Sequence, residues 1–276
     1  MARILITGSN SGFGLLSALT LARQGHDVIA TMRNPAKSDA LDHAVAAEEL
    51  SITKRTLDVA DQAAVDAALA DAHDIDVLIN NAGYEEQSSV EQLTDELMYG
   101  QLETNVMGPL RTMRAVLPSW RERGSGVIVN VSSIAGRVGT PYSGAYSASK
   151  WALEAMSESL HFEVSQLGIR VHLIEPGRFD TGFRDNIVRP ADWEGSTHHQ
   201  RFEAFRHALD ALDTGDEGSK PDPQIVADAI VRAATDSTTP LRTLCGADAE
   251  LIAGVKSSME FEDFEATMRT ALDWHD

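Results

Sequence analysis

Short apolar runs alternate with amphipathic segments of helix length along most of this chain, and that alternation constrains its fold more than any other feature. Strand-length runs joined by helix-length crossovers pair in parallel, since a tight hairpin connects only antiparallel strands. Residues 3–7 (RILIT) read as a first strand and 8–14 as a glycine-rich turn. Residues 13–24 (FGLLSALTLARQ) follow as a helix closed by Gly25. VIATM (28–32) is a second strand, followed by a polar, Ala-rich helical stretch. A third strand spans 52–59, a helix 61–72, and a fourth strand with its turn 75–83. The spacing of Leu97, Leu102, Val106, Leu110, Met113 and Leu117 predicts one long helix over 94–121. A fifth strand (126–133), a helix (144–167) and a sixth strand (169–177) complete the regular part. The pattern predicts an α/β fold, a doubly wound parallel sheet of about seven strands between two helical layers.

After Gly177 the periodicity weakens. Residues 178–220 hold scattered aromatics, the His198–His199 pair and the polar stretch DTGDEGSK, and read as a loop-and-helix insert. A helix over 222–235 has Pro223 near its start, where a missing amide hydrogen costs nothing. LRTLC (241–245) reads as a seventh strand and 248–276 as a helical tail. All of 1–276 is expected to form one domain.

The net charge of −19 lacks the basic stripe of a nucleic-acid binder and disfavours anionic membrane surfaces. No stretch reaches the ~18 apolar residues of a membrane span, and the N-terminus has too short an apolar run for a signal peptide. Cys245 is the one cysteine, so no intrachain disulfide can form. The expectation is a soluble, cytoplasmic protein without nucleic-acid or membrane partners.

Excess acidity means that an anionic ligand must be met by local amides and basic side chains. TGSNSGFG (7–14) offers such a place at the first strand–helix junction. Gly8 would make the turn, Gly12 would admit a pyrophosphate, and Gly14 would let the helix lie close to the sheet. With Ser9, Asn10, Ser11 and Phe13 they would form the cradle, the helix N-terminus attracting phosphate. The second strand ends in Met32 and Arg33 with no carboxylate to hold a ribose 2′-hydroxyl. Arg33 suits a 2′-phosphate, which favours NADP(H) over NAD(H). Asp58, beside Val59, can bond an adenine amino group or simply end a strand. NNAG (80–83), with Asn81, Ala82 and Gly83, can let the backbone pass close to a cofactor or make a plain turn.

YSASK (146–150) places Tyr146 and Lys150 one helical turn apart, on one face. A phenol has a pKa near ~10, and a neighbouring ammonium favours the phenolate, so the pair suits general acid–base work. Ser133 ends the fifth strand, where open α/β sheets bind ligands. TGSNSGFG, NNAG, the NVMG segment with Asn105, VNVSS, YSASK and PGRFDT occur together in one order over about 1–181. In these motifs the sequence resembles the short-chain dehydrogenase/reductase family, in its compact Rossmann-like branch. The resemblance implies that Tyr146 transfers the proton, Lys150 lowers its pKa and bonds the nicotinamide ribose, and Ser133 bonds the substrate oxygen. Asn105 would position a relay water. Pro176, Gly177, Phe179 and Thr181 would line the nicotinamide pocket. The implied reaction moves a hydride between nicotinamide and a small-molecule carbonyl or alcohol, with a lipophilic or steroid-like ketone suggested, in a homodimer or homotetramer.

Tyr84 is followed by Glu85, Glu86, Gln87 and Ser88 where relatives often continue with glycine and apolar residues. This run is read as a solvated loop, the alternative being an acid that faces the substrate. No metal site is expected, since His198 and His199 are adjacent with no third ligand. Cys245 reads as a buried small hydrophobe. Trp193, Phe202 and Phe205 form either a lid or ordinary core. Two rival functions remain on sequence: a dinucleotide-binding redox sensor and a nucleotide-sugar epimerase or dehydratase. The intact Ser133, Tyr146 and Lys150 set disfavours the first, and glycine spacing and length the second.

Overall fold

The computed structural model describes residues 1–211 and 221–274. The expected DTGDEGSK stretch and the last two residues of the tail lie outside them. In chain order the elements are β1 (Arg3–Thr7), α1 (Gly12–Arg23), β2 (Asp27–Met32), α2 (Asp39–Ala47), β3 (Ile52–Thr56), α3 (Gln62–Ala68) and β4 (Val77–Asn80). Then come α4 (Asp95–Leu102), a π-turn (Glu103–Met107), α5 (Gly108–Arg123), β5 (Gly126–Val131), α6 (Gly144–Val164) and β6 (Ile169–Pro176). Last are α7 (Thr197–Ala211), α8 (Gln224–Thr235), β7 (Arg242–Cys245), α9 (Ala247–Ser257) and α10 (Phe261–Ala271).

The strands form one sheet in the order β3-β2-β1-β4-β5-β6-β7, every neighbouring pair parallel. Alternate residues of each strand feed opposite faces. Ile4, Ile6 and Ile79 pack with Val226 and Ile230 of α8, whereas Leu5, Leu78 and Ile128 pack with Met113, Val116 and Trp120 of α5. Both faces being covered explains why VLIN and GVIVNV are buried throughout rather than alternating, the Asn80 side chain donating to that of Asn130 at 2.8 Å. Trp120 is fully buried and donates its indole N–H to the Ile75 carbonyl at 2.7 Å. The chain winds outward from β1 to β3, then crosses back to β4. The β1–β4 boundary is therefore the switch point, where a crevice opens at the strand ends.

Several boundaries differ from expectation, each for a local reason. The third strand stops at Thr56 because Asp58 folds back to accept the Ala60 amide at 3.0 Å. The helix after it ends at Ala68 and gives way to a single tight turn, Ala72–Asp74. The fifth strand ends at Val131, which leaves Ser132 and Ser133 beyond it. The long helix is broken by the π-turn that carries Asn105, and such turns are frequent at functional sites. The helix from 144 is α-helical to Val164 and closes with a tight turn ending at Gly168, whose φ of 76° is left-handed. The tail is two helices rather than one. Among the described residues no helix is long and apolar enough to cross a membrane.

Candidate active site

Thr7 ends β1, and its hydroxyl accepts the backbone N–H groups of Asn81 and Ala82 at 3.0 and 2.9 Å. The Asn81 side chain returns two bonds, to the carbonyls of Thr7 and Gly8. This ties the NNAG tip to the glycine turn with almost no space between them. A methyl carbon on Gly8 would fall 2.9 Å from the Ala82 Cα, and one on Gly14 only 2.3 Å from the Gly8 carbonyl oxygen. Gly12 shares the left-handed φ of Gly8, 55° against 69°, but differs in space, the nearest group beyond its missing side chain being Thr181, at 3.6 Å. Ser11 caps α1 without a side-chain bond, and the first turn holds no acid. Its amides and the positive end of the helix dipole therefore face open space suited to a phosphate. The cradle fits a dinucleotide.

A cleft of about 800 Å³ runs from this turn across the switch point to α6. Asn10, Ser11, Phe13, Arg33, Asp58 and Val59 line it, together with Asn81, Ala82 and Gly83. Ser133, Tyr146, Lys150, Pro176, Gly177, Phe179 and Thr181 line it as well, the Phe179 ring meeting that of Phe13 at 5.8 Å. Arg33 is exposed at the rim, while Thr31 and Met32 before it are buried. Asp58 lies on the wall with one carboxylate oxygen taken by Ala60. Three expected residues stand behind the wall instead. Ser9 is fully buried and bonds the Ile6 carbonyl at 3.0 Å, and Gly14 is a packing contact. Asn105 is 1% exposed and lies behind Gly83.

Tyr146 lies one turn before Lys150 on α6, with the Lys150 Nζ 5.6 Å from the phenol ring centre. Lys150 is buried and donates to the Val131 carbonyl at 2.8 Å. Ser133, just past β5, caps a short turn by accepting the Ala135 amide. Its hydroxyl faces the Tyr146 phenol across the cleft wall. Burial and the Glu85 carboxylate push that phenol above its ordinary range, and the Ser133 hydroxyl pulls the other way. Burial pushes the Lys150 ammonium down to about 8. The phenol that Lys150 was expected to acidify is thus held protonated by a low-dielectric pocket and a nearby acid. The Asn105 amide nitrogen donates to the Tyr84 carbonyl and the Ser149 hydroxyl, and its oxygen accepts the Tyr84 N–H. The side chain thus holds the Tyr84 loop against α6.

The 85–88 run is not a solvated loop. Across two loops Val188 donates its N–H to the Glu85 carbonyl and accepts the Gln87 N–H, and Ser88 donates to the Tyr142 carbonyl. These bridges bury Glu86, Gln87 and Ser88 and turn Glu85 onto the cleft wall. Phe183 and Arg184 of the insert complete that wall, Phe183 lying 6.0 Å from Tyr146 ring to ring. Trp193 and Phe202 stack on Tyr142 below the insert, and Phe205 meets Trp274. They anchor the insert, whereas its Phe179 and Phe183 line the cleft. His198 and His199 each face a separate glutamate, Glu91 and Glu194. Cys245 is buried in the core, its thiol pushed up to about 11 by burial.

Sequence reasoning missed Thr140, Ser143, Phe183, Arg184 and Val188, all on the cleft wall. They sit in loops without a periodic signal. It also missed Asp248, which accepts the Arg178 amide at 2.7 Å and fixes the strand end after Gly177 from the far side.

A doubly wound sheet with its cleft at the switch point is the architecture of dinucleotide-using α/β enzymes. Within that class the chain belongs to the short chain dehydrogenase family, whose profile matches residues 2–192. It is 35% identical over 243 residues to a 3-ketodihydrosphingosine reductase of Bacteroides thetaiotaomicron, covering 88% of this chain and 87% of that protein. It is 36% identical over 250 residues to retinol dehydrogenase 8 of Bos taurus, covering 87% and 80%. A short-chain dehydrogenase structure from Streptomyces avermitilis superposes with a TM-score of 0.78 at 34% identity, over 98% of both chains. The protein is thus an oxidoreductase of this family, built on the family's seven-stranded fold.

Proposed function

We propose that this protein reduces a ketone or aldehyde to an alcohol with NADP(H), and runs the reverse oxidation when driven. The observation that carries the reading is the Tyr146 phenol beside Ser133, with Lys150 one turn away, on the cleft that begins at the glycine turn. When bound, a reduced nicotinamide supplies the hydride. The chain's own residues handle oxygen and proton. The Ser133 hydroxyl donates a hydrogen bond to the carbonyl oxygen and orients it. Tyr146 gives its phenolic proton to that oxygen as the alcohol forms. The Lys150 ammonium stabilises the phenolate left behind, and its bond to the Val131 carbonyl keeps it in place.

Gly8, Gly12 and the first turn of α1 would hold the pyrophosphate. Asp58, Val59 and the Asn81–Gly83 segment would flank the adenosine half, and Pro176, Gly177, Phe179 and Thr181 the nicotinamide half. Arg33 at the rim, with no acid at the end of β2, supports NADP(H) over NAD(H). Relatives named for ketodihydrosphingosine and retinol support a lipophilic substrate. Trp151 and Phe162 stand exposed on α6, and Tyr99 on α4, which supports assembly as a homodimer or homotetramer through these helices. We place the enzyme in the cytoplasm. The test is turnover of a ketone panel with NADPH and NADH. Tyr146→Phe should lose roughly 10²–10⁴-fold in kcat while still binding NADPH. Equal turnover by the variant would remove Tyr146 from the chemistry.

A further inference from the structure

We infer that Glu85 is a recognition group for a cationic amine on the carbon next to the reacting carbonyl, so that the preferred substrates are amino ketones and the products amino alcohols. The inference rests on the carbonyl-reductase reading above and adds the substrate class. Three observations carry it. First, the loop that holds Glu85 is fixed from both sides. Its carbonyl accepts the Val188 N–H at 3.0 Å, Gln87 donates to the Val188 carbonyl at 2.9 Å, and Ser88 donates to the Tyr142 carbonyl at 3.0 Å. The carboxylate therefore has a defined place on the wall rather than a solvent-facing arc.

Second, that place adjoins the reacting group. The Ser143 hydroxyl donates to Glu85 Oε1 at 2.6 Å. Ser143 caps α6 immediately ahead of the turn that bears Tyr146, so acid and phenol share one end of the cleft. Their mutual repulsion is felt at the phenol, which the Glu85 charge helps to keep protonated. Third, the acid is only half satisfied. Among the described residues no arginine forms an ion pair with it. Arg189 donates to Gln87 instead, and Arg184 lies exposed at the outer edge of the cleft. Burial accordingly raises the Glu85 carboxyl above its usual range. Its second oxygen is left for a ligand, and a charge-assisted donor is the partner that best offsets the lost solvation. An ammonium there would stand beside the carbonyl oxygen that Ser133 and Tyr146 hold. Reduction then adds one hydride to the carbonyl carbon and one proton, from Tyr146, to its oxygen, the amine remaining untouched.

The test compares matched substrates of equal chain length: a 2-amino-3-ketone, the 2-hydroxy-3-ketone and the plain 3-ketone, each with NADPH. Wild type should favour the amino ketone over the plain ketone by roughly ten- to a hundredfold in kcat/KM, the range of a hydrogen bond to a charged group. In Glu85→Gln that ratio should fall to near one, and Glu85→Asp should restore part of it. NADPH binding and a thermal melt confirm that both variants are folded. A wild-type ratio near one, a ratio unchanged in Glu85→Gln, or a preference for the hydroxy ketone over the amine would overturn the assignment while leaving the reductase reading standing. If wild type and Tyr146→Phe are equally inert towards all three ketones and the wider panel, the underlying reading falls and this inference with it.

Discussion

The wall of the cleft that faces the cofactor is held by backbone and neutral side chains, whereas the wall that faces the substrate adds ionisable side chains to its backbone bridges. On the first, Thr7 and Asn81 knit two strand ends together through four hydrogen bonds, none from an ionisable group. On the second, Glu85 bonds Ser143 and Arg189 bonds Gln87. Beneath it, Glu175 and Glu154 lie fully or almost fully buried beside Arg242 and Arg137. The difference teaches what each wall can tolerate. The cofactor wall has no room for an added atom but should ignore pH. The substrate wall can accept changes of shape but should respond to protons.

Gly14→Ala breaks the first wall most directly. The new carbon would meet the Gly8 carbonyl at 2.3 Å and the Asn81 amide nitrogen at 2.5 Å, neither of which can retreat. Overpacking of this kind costs about 3 kcal/mol. We expect a fall of that size in unfolding free energy by denaturant titration, and loss of NADPH binding by more than tenfold. An unchanged midpoint would mean that the turn is softer than its packing implies.

Glu175→Gln sharpens the second half of the contrast. Burial and the neighbouring Glu154 push the Glu175 carboxyl up to about 7, against an ordinary value of 4.5. Glu175 Oε1 and Oε2 and Glu154 Oε1 lack a donor unless one acid keeps its proton. Between pH 4.5 and about 7 the folded chain thus holds a proton that the unfolded chain has released. Stability must then fall as pH rises through that window, by up to about 3 kcal/mol, and level off above it. The glutamine keeps a donor at every pH, so its melting temperature should be nearly flat over the same range. If wild type and variant melt in parallel, the acid pair does not supply the pH response of this wall.

The same contrast explains what the sequence made legible. Strand runs, the glycine turn and NNAG are local patterns set by backbone geometry, so Gly8, Gly12, Gly14 and Asn81 could be placed by inspection. Tyr146 and Lys150 share a helix face, which their spacing alone fixes. Glu85 was unreadable because its placement depends on pairing with residue 188, over a hundred positions away. Phe183 and Arg184 sit in an insert without periodicity, and between the lid and core readings of Trp193, Phe202 and Phe205 the sequence offered no choice. The π-turn at Asn105 was hidden because an apolar helical pattern continues through it. Even the expected Lys150–Tyr146 effect was incomplete, since one turn of helix says nothing of how deeply both groups are buried.

Arg33→Ala is the mildest of these perturbations, and it tests the place where we assign a positive charge to the cofactor's 2′-phosphate. Arg33 stands exposed at the rim beyond the end of β2. A guanidinium there can bond a 2′-phosphate, but water competes for both partners, so the contact should be worth about 1.4 kcal/mol, or roughly tenfold in the NADPH dissociation constant. NADH has no such phosphate, and its affinity should stay within about twofold of wild type. Because the site is exposed, the NADPH advantage should also shrink as salt rises and screens the pair. Equal loss of both cofactors would assign Arg33 to general binding and remove the preference for NADP(H). A salt-independent advantage that survives the substitution would locate the discrimination elsewhere, in the neutral backbone of the turn itself.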